Sequence, residues 1–220
     1  MHTLIKFMKN VNMRIKPFSL WLSYNMLNEN IIQDMLPPGM KVAKINILED
    51  DIEPKSRLLF NCYNIDSFWM RGSRLEIMTI AKCEDNFHFV ILDCITNTLQ
   101  WDPINGIRGP NGNFKFNFLQ DKLNYNVVSK LKERLDFSGK SLNLINMTKD
   151  FAVKSNYNCY YKNSVIPINL KFNEEEIMTP VRKLKHVKIN NDLWSSFRDE
   201  YPTHAFMHEH SMNFKTKIQF

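Results

Sequence analysis

From residue 41 onward the chain falls into short runs rich in β-branched and aromatic side chains, at 42–47, 57–65, 74–83 and 87–94. Runs of this length and composition predict strands. Only Glu84-Asp85-Asn86 separates 74–83 from 87–94, a polar turn of hairpin length, so these two are expected to pair antiparallel. Within 87–94, Phe87, Phe89 and Ile91 alternate with His88, Val90 and Leu92, so nearly every side chain is apolar. That pattern marks a central strand covered on both faces. Further strands are expected at 114–118, 141–147, 158–161, 167–172 and 212–220. Ahead of them Leu20, Leu22, Met26, Leu27, Ile31, Ile32 and Met35 follow a roughly helical spacing closed by Pro37-Pro38-Gly39, which predicts one helix over 20–35. Glu174-Glu175-Glu176, ahead of Pro180, predicts a brief helical turn. The fold class is mainly β, with an N-terminal helix and a few short helices.

Length and composition narrow this picture. At 220 residues the chain fits one domain over 1–220, since all-β barrels and sandwiches reach this size undivided. Its apolar fraction of 44% rules out intrinsic disorder. The net charge of +6 is spread along the chain, which favours plain solubility over nucleic-acid binding. Cys62, Cys83, Cys94 and Cys159 show no CxxC spacing, and three sit in apolar runs, as buried free thiols do. The opening MHTLIKFMKNVNMRIK is interrupted by Lys, Asn and Arg, and no run of about 18 apolar residues follows. A cytoplasmic location without membrane or nucleic-acid partners is expected, and homo-oligomerisation is left open.

Candidate chemistry concentrates in four places. Gly106, Gly109 and Gly112, three of only six glycines, cluster in the loop after the central strand, where the backbone must turn tightly or be closely approached. There Trp101, Asp102, Arg108 and Asn111 offer a ring, a carboxylate, a guanidinium and an amide, a set suited to orienting a small carboxylate or carbonyl ligand. The alternative is a long connection stiffened by Pro103 and Pro110, with Trp101 covering the core edge. In MRGSRLE, Arg71, Arg74 and Glu76 enter a strand, and Arg74, Glu76, Met78 and Ile80 share a face. Buried alone, Glu76 would suit general-acid work; paired with Arg71 or Arg74 it would be structural, an ion pair at a sheet edge.

In HAFMHEH, His204, His208 and His210 would share one face of a strand, but the spacing matches no established metal motif. No metal or cofactor is assigned, and an ordinary loop near the C-terminus is the favoured reading. Lys115, in NFKFN, points away from Phe114 and Phe116 and is expected to be exposed; a nucleophilic role would need burial or a neighbouring cation.

The order of these signals resembles the acetoacetate decarboxylase-like superfamily. The resemblance runs over about 17–118, through LWLSYNMLNENIIQDMLPPGMKVA, RLEIMTIAK, FHFVILD and RGPNG. It implies an entry strand, short helix and proline turn at the start, and a partly open, cone-like antiparallel barrel with an internal pocket. Active members of that superfamily form a Schiff base through the first of two adjacent lysines just after the loop proline. At the corresponding positions this chain has Asn111 and Gly112, so the resemblance implies a retained pocket with decarboxylation lost or replaced. The function expected is binding of a small organic acid or ketone, with acid–base work on an enolisable carbonyl as the chemistry. Glu76 would carry the proton and Arg71, Arg74 or Arg108 would hold the oxyanion. Trp101, Arg108 and Asn111 would line the ligand. Two alternatives are a non-catalytic carrier or sensor of an apolar ligand and a lyase that uses Lys115.

Overall fold

The computed structural model describes residues 11–67, 70–102, 106–148, 151, 156–164, 168–172, 176 and 179–218. Its centre is an antiparallel meander of β5 (Lys55–Asp66), β6 (Arg71–Cys83) and β7 (Asn86–Thr96). The turn between β6 and β7 is Glu84-Asp85, with Glu84 in the left-handed region at φ 53°. All three strands bury both faces. Leu58, Phe60, Cys62, Leu75, Ile77, Val90 and Leu92 enter one core, whereas Leu59, Met78, Ile80, Phe89, Ile91 and Cys94 enter another. Each fully buried large apolar side chain contributes roughly 1.5–3 kcal/mol, so β5–β7 anchor both cores at once.

Two routes leave β5. β1 (Val11–Ile15) and β2 (Ser19–Asn25) lie end to end along its edge, with the chain bending between them at Phe18, φ 70°. Through β1 the pairing continues to β17 (Met212–Ile218), β14 (Ile168–Phe172) and β13 (Asn156–Tyr161). β13 pairs in parallel with β7, and because β7, β6 and β5 are already joined, this route closes into a ring. Through β2 the sheet continues to β16 (His204–His208), β15 (Val181–Asn191), β12 (Arg134–Ile145), β11 (Lys122–Ser129) and β10 (Gly112–Leu119), where it ends. This arm curls as an open half-barrel around the larger core, which also takes Ile32, Leu36 and Met40 from α1 (Glu29–Asp34) and the turn after it. The short strands β3 (Lys41–Val42) and β4 (Lys44–Ile45) flank β6 and β5, and β8 (Gln100–Asp102) and β9 (Gly106–Arg108) form a separate hairpin. Among the described residues no helix is long and apolar enough to cross a membrane.

Mainly β architecture is what the patterning predicts, and three local expectations are corrected. Residues 20–35 are not one helix: β2 occupies Ser19–Asn25, and only Glu29–Asp34 is helical. Leu20, Leu22 and Tyr24 alternate into the larger core at 0% exposure while Trp21 faces the other way, so a strand buried on both sides mimics helical spacing. The segment around His204 is strand β16 and not a loop, because β2 and β15 flank it. The glycine-rich loop carries the β8–β9 hairpin. Strands β1, β11 and β15 add to those expected. Glu174 and Glu175 of the acidic run lie outside the described residues.

Candidate functional site

Gly72 starts the site. Its φ of 137° and the side chains of Asn97 and Thr98 packed against it leave no space for a Cβ, which fixes how β6 enters the sheet. The next residue, Ser73, donates its N–H to Asn97 Oδ1 at 2.7 Å. Strand alternation then carries Arg74 and Glu76 to the ring-facing side, opposite Tyr63 and Asn61 of β5 and Thr96 and Cys94 of β7.

The result is a buried polar cluster. Arg74 Nη2 lies 3.0 Å from Glu76 Oε1, and Tyr63 Oη donates to the same oxygen at 2.8 Å. Arg74 Nη2 also donates to Cys94 Sγ at 3.3 Å. Arg74 and Glu76 are 7% and 8% exposed, so this pair is buried and is not an ion pair at a sheet edge. Burial pushes the Cys94 thiol up to about 12, against the pull of Arg74, and holds the Tyr63 hydroxyl well above the ordinary phenol value, with the Glu76 charge adding to it. Burial works against the Arg74 charge as well, but the acidic groups of Cys94, Tyr63 and Glu76 outweigh it and keep the guanidinium well above its usual value. At neutral pH, Tyr63 and Cys94 therefore keep their protons, which makes them hydrogen-bond donors and not nucleophiles.

Three buried polar atoms on this side have no partner among the described residues: Arg74 Nε, Asn61 Oδ1 and Trp21 Nε1. Trp21, Asn61, Glu76 and Cys94 are successive partners across β2, β5, β6 and β7, so they share one row. Two unmatched donors and one unmatched acceptor thus lie on the face of the sheet that carries the ion pair. Leaving each unmatched costs about 1–3 kcal/mol. The sequence reading missed Tyr63, Asn61 and Trp21. The signal available was a lone amide, Asn61, inside the apolar run of β5.

The remaining candidates lie elsewhere. Arg71 is 78% exposed on its side chain and pairs with Asp66 at 3.4 Å, away from Glu76. Arg108 is exposed in β9. Trp101 and Asp102 have their backbone in β8, and their side chains lie outside the described residues. Asn111 acts as a clamp: Oδ1 accepts from Thr96 N at 2.7 Å and Nδ2 donates to Cys94 O at 2.9 Å. A Cβ on Gly112 would run into Ile95 Cγ2.

Lys115 is exposed on the outer face of the arm. There Lys115, Asn126, Asp136 and Asn190 form one cross-strand row and Asn117, Asn124, Ser138 and Lys188 another, with Phe116, Tyr125, Phe137 and Ile189 as the row between; an open, mainly apolar trough of about 490 Å³ runs along these three rows. Of the histidines, His204 pairs through Nε2 with Asp51 Oδ1, which also faces Arg57 at 3.6 Å. His208 is buried, and its pKa is lowered to about 4 by burial and by the charge of His210, itself exposed.

Compared by sequence, the chain matches no protein-family model and no curated protein. Solved structures do match along nearly its whole length. An acetoacetate decarboxylase-like enzyme from Sphingomonas wittichii RW1 aligns over 96% of this chain and 93% of its own, with a TM-score of 0.57 at 8% identity. The chain has the acetoacetate decarboxylase-like fold. An acetoacetate decarboxylase from Legionella pneumophila aligns over 94% of this chain and 87% of its own, with a TM-score of 0.51 at 9% identity. The enduracididine biosynthesis enzyme MppR, complexed with the condensation product of pyruvate and imidazole 4-carboxaldehyde, aligns over the same shares, with a TM-score of 0.55 at 8% identity. On this fold, the positions where the resemblance places the lysine pair hold a backbone clamp, Asn111, and a glycine pressed against Ile95.

Proposed function

We propose that the protein binds a small organic acid or ketone at the buried Arg74–Glu76–Tyr63 cluster and does so without forming an imine. The observation that carries this reading is the set of unmatched polar atoms, Arg74 Nε, Trp21 Nε1 and Asn61 Oδ1, on the side of the sheet that holds the ion pair. Two donors suit a carboxylate or carbonyl oxygen, and the amide oxygen suits a ligand hydroxyl or the O–H of an enol. MppR, bound to a condensation product of pyruvate, supports the ligand class by likeness of fold.

In the catalytic form of this proposal, Glu76 takes a proton from the carbon next to a ligand carbonyl. Arg74 Nε and Trp21 Nε1 hold the oxygen on which charge develops, and Tyr63, hydrogen-bonded to Glu76, steadies the carboxylate. Cys94 stays a thiol, and Asn111 and Gly112 supply no amine, so the chemistry is proton transfer. The lyase reading through Lys115 requires a desolvated amine, and Lys115 is exposed.

The test is calorimetric titration with pyruvate and related short carboxylic acids against the native protein and Trp21→Phe, which keeps the ring and removes the N–H. Affinity should fall roughly tenfold, the loss of about one hydrogen bond to a charged group. Equal affinity in the two proteins would remove Trp21 from the site, and no binding by either would refute the reading. Glu76→Gln separates carrier from enzyme: a carrier keeps its affinity.

A further inference from the structure

Among the described residues β10 is an edge strand, and it carries little of the usual protection. Residues 112–119 contain no proline, the β10–β11 register runs without a bulge, and Lys115 is the only charged residue. Natural edges are ordinarily blunted by proline, a bulge, short length or charged side chains, lysine above all; here Lys115 is the one such device, and an edge left open pairs with another strand. Phe114, Phe116 and Phe118 face the larger core yet are only half-buried, whereas their partners on β11, Val127, Tyr125 and Leu123, are 0–2% exposed. The apolar lining of the arm is thus unfinished at this edge.

The hairpin fixes which backbone groups point outward. Gln120 and Asp121, with φ of 50° and 63°, form a two-residue turn of the primed type, so Leu119 and Lys122 are a hydrogen-bonded pair. Alternation makes Asn117–Asn124 and Lys115–Asn126 hydrogen-bonded pairs too. The bond from Lys130 N to Asn111 O continues the same parity. The N–H and C=O groups of Phe114, Phe116 and Phe118 therefore face away from β11, and among the described residues no backbone hydrogen bond reaches them.

We infer that β10 pairs antiparallel with β10 of a second copy of this chain across a two-fold axis at Phe116. Only an arrangement that keeps phenylalanines beside phenylalanines preserves the two faces of the sheet, which excludes any register shifted by one residue. Of the two remaining central registers, one sets Lys115 directly opposite Lys115 of the other copy, a like-charge pair that opposes association. The other sets Phe116 opposite its own symmetry mate and Lys115 opposite Asn117, with 113–119 overlapping. In this register the aromatic edge is covered, and the trough that runs along Lys115, Phe116 and Asn117 continues into the second copy.

The register makes a charge test specific. Sedimentation equilibrium of the full chain should show a monomer–dimer equilibrium. Asn117→Asp faces Lys115 twice across the axis and should tighten the dimer about three- to tenfold. Lys115→Asp with Asn117→Asp sets carboxylates against each other and should loosen it by at least as much, and Lys115→Asp with Asn117→Lys should restore it. Both positions of substitution are exposed in each copy, and the thermal midpoint at low protein concentration reports that folding is intact. A monomer throughout, or a dimer whose dissociation constant ignores these changes, overturns the inference.

Discussion

The Arg74–Glu76 cluster and the outward polar rows around Lys115 use nearly the same residue types to opposite effect. In the ring, a guanidinium, a carboxylate, an amide and a hydroxyl are cut off from water, and several of their hydrogen-bonding positions are unfilled. On the arm, the lysines, asparagines and Asp136 of the outward rows are exposed or half-exposed, so they reach solvent or, as with Asn126 and Asp136, each other. The difference lies in the sheet. β5 and β6 are covered on both faces, so a polar side chain there has nowhere to go, whereas β10, β11 and β12 turn one face outward. Chemistry that depends on strong, oriented electrostatics belongs in the first environment, and solvent screening weakens it in the second.

Removing one member of the buried pair should give the largest effect. Arg74→Met leaves Glu76 buried and uncompensated, and urea unfolding should register a loss of about 3–5 kcal/mol. Arg74→Met with Glu76→Leu should recover most of that loss. If Arg74→Met alone is neutral, Glu76 is not desolvated.

Burial also dictates the response to acid. The native pKa of His208 is about 4, against 6.5 for a free histidine, so at intermediate pH the unfolded state binds the extra proton. The sign follows: stability from this group is complete above about pH 6.5, declines as pH falls and is lost by about pH 4, a total of about 3 kcal/mol. Asp51, held below the usual carboxylate range by hydrogen bonds and by His204 despite partial burial, gives up its share at lower pH still. Replacing His208 by Gln should flatten the stability profile between pH 6.5 and 4.

Gly112→Ala forces a methyl group against Ile95 and the Val128 carbonyl, and should cost about 1–3 kcal/mol in thermal unfolding. A lysine there would need a different local backbone, so full stability in Gly112→Lys would contradict the packing described. Smallest of all, Lys115→Ala should change stability by no more than about 0.5 kcal/mol, since this side chain is exposed.

The sequence made the hairpin of β6 and β7 legible because Glu84 and Asp85 interrupt two apolar runs, and it made β10 legible through the alternation of Phe114, Phe116 and Phe118. It misled at 20–35, where Leu20, Leu22 and Tyr24 serve one core and Trp21 another, erasing the period-two signature. β15 was missed because Lys183, Lys185 and Lys188 hide its alternation behind charge. For the site, adjacency brought Arg74 and Glu76 together, since side chains two apart on a strand must share a face. Tyr63, Asn61 and Trp21 reach the same side only through the registers of β2, β5 and β6, which nothing local encodes. Arg71 looked equivalent to Arg74, but Gly72 turns the chain between them and leaves Arg71 with Asp66.

The most direct measurement is exchange of the pyruvate methyl protons in deuterated water, followed by proton NMR. The account predicts exchange above background with the native protein, its loss in Glu76→Gln, its retention in Lys115→Ala, and no lysine adduct on borohydride treatment. Exchange that survives in Glu76→Gln, disappears in Lys115→Ala, or is absent from the native protein would contradict it, as would a trapped imine at Lys115.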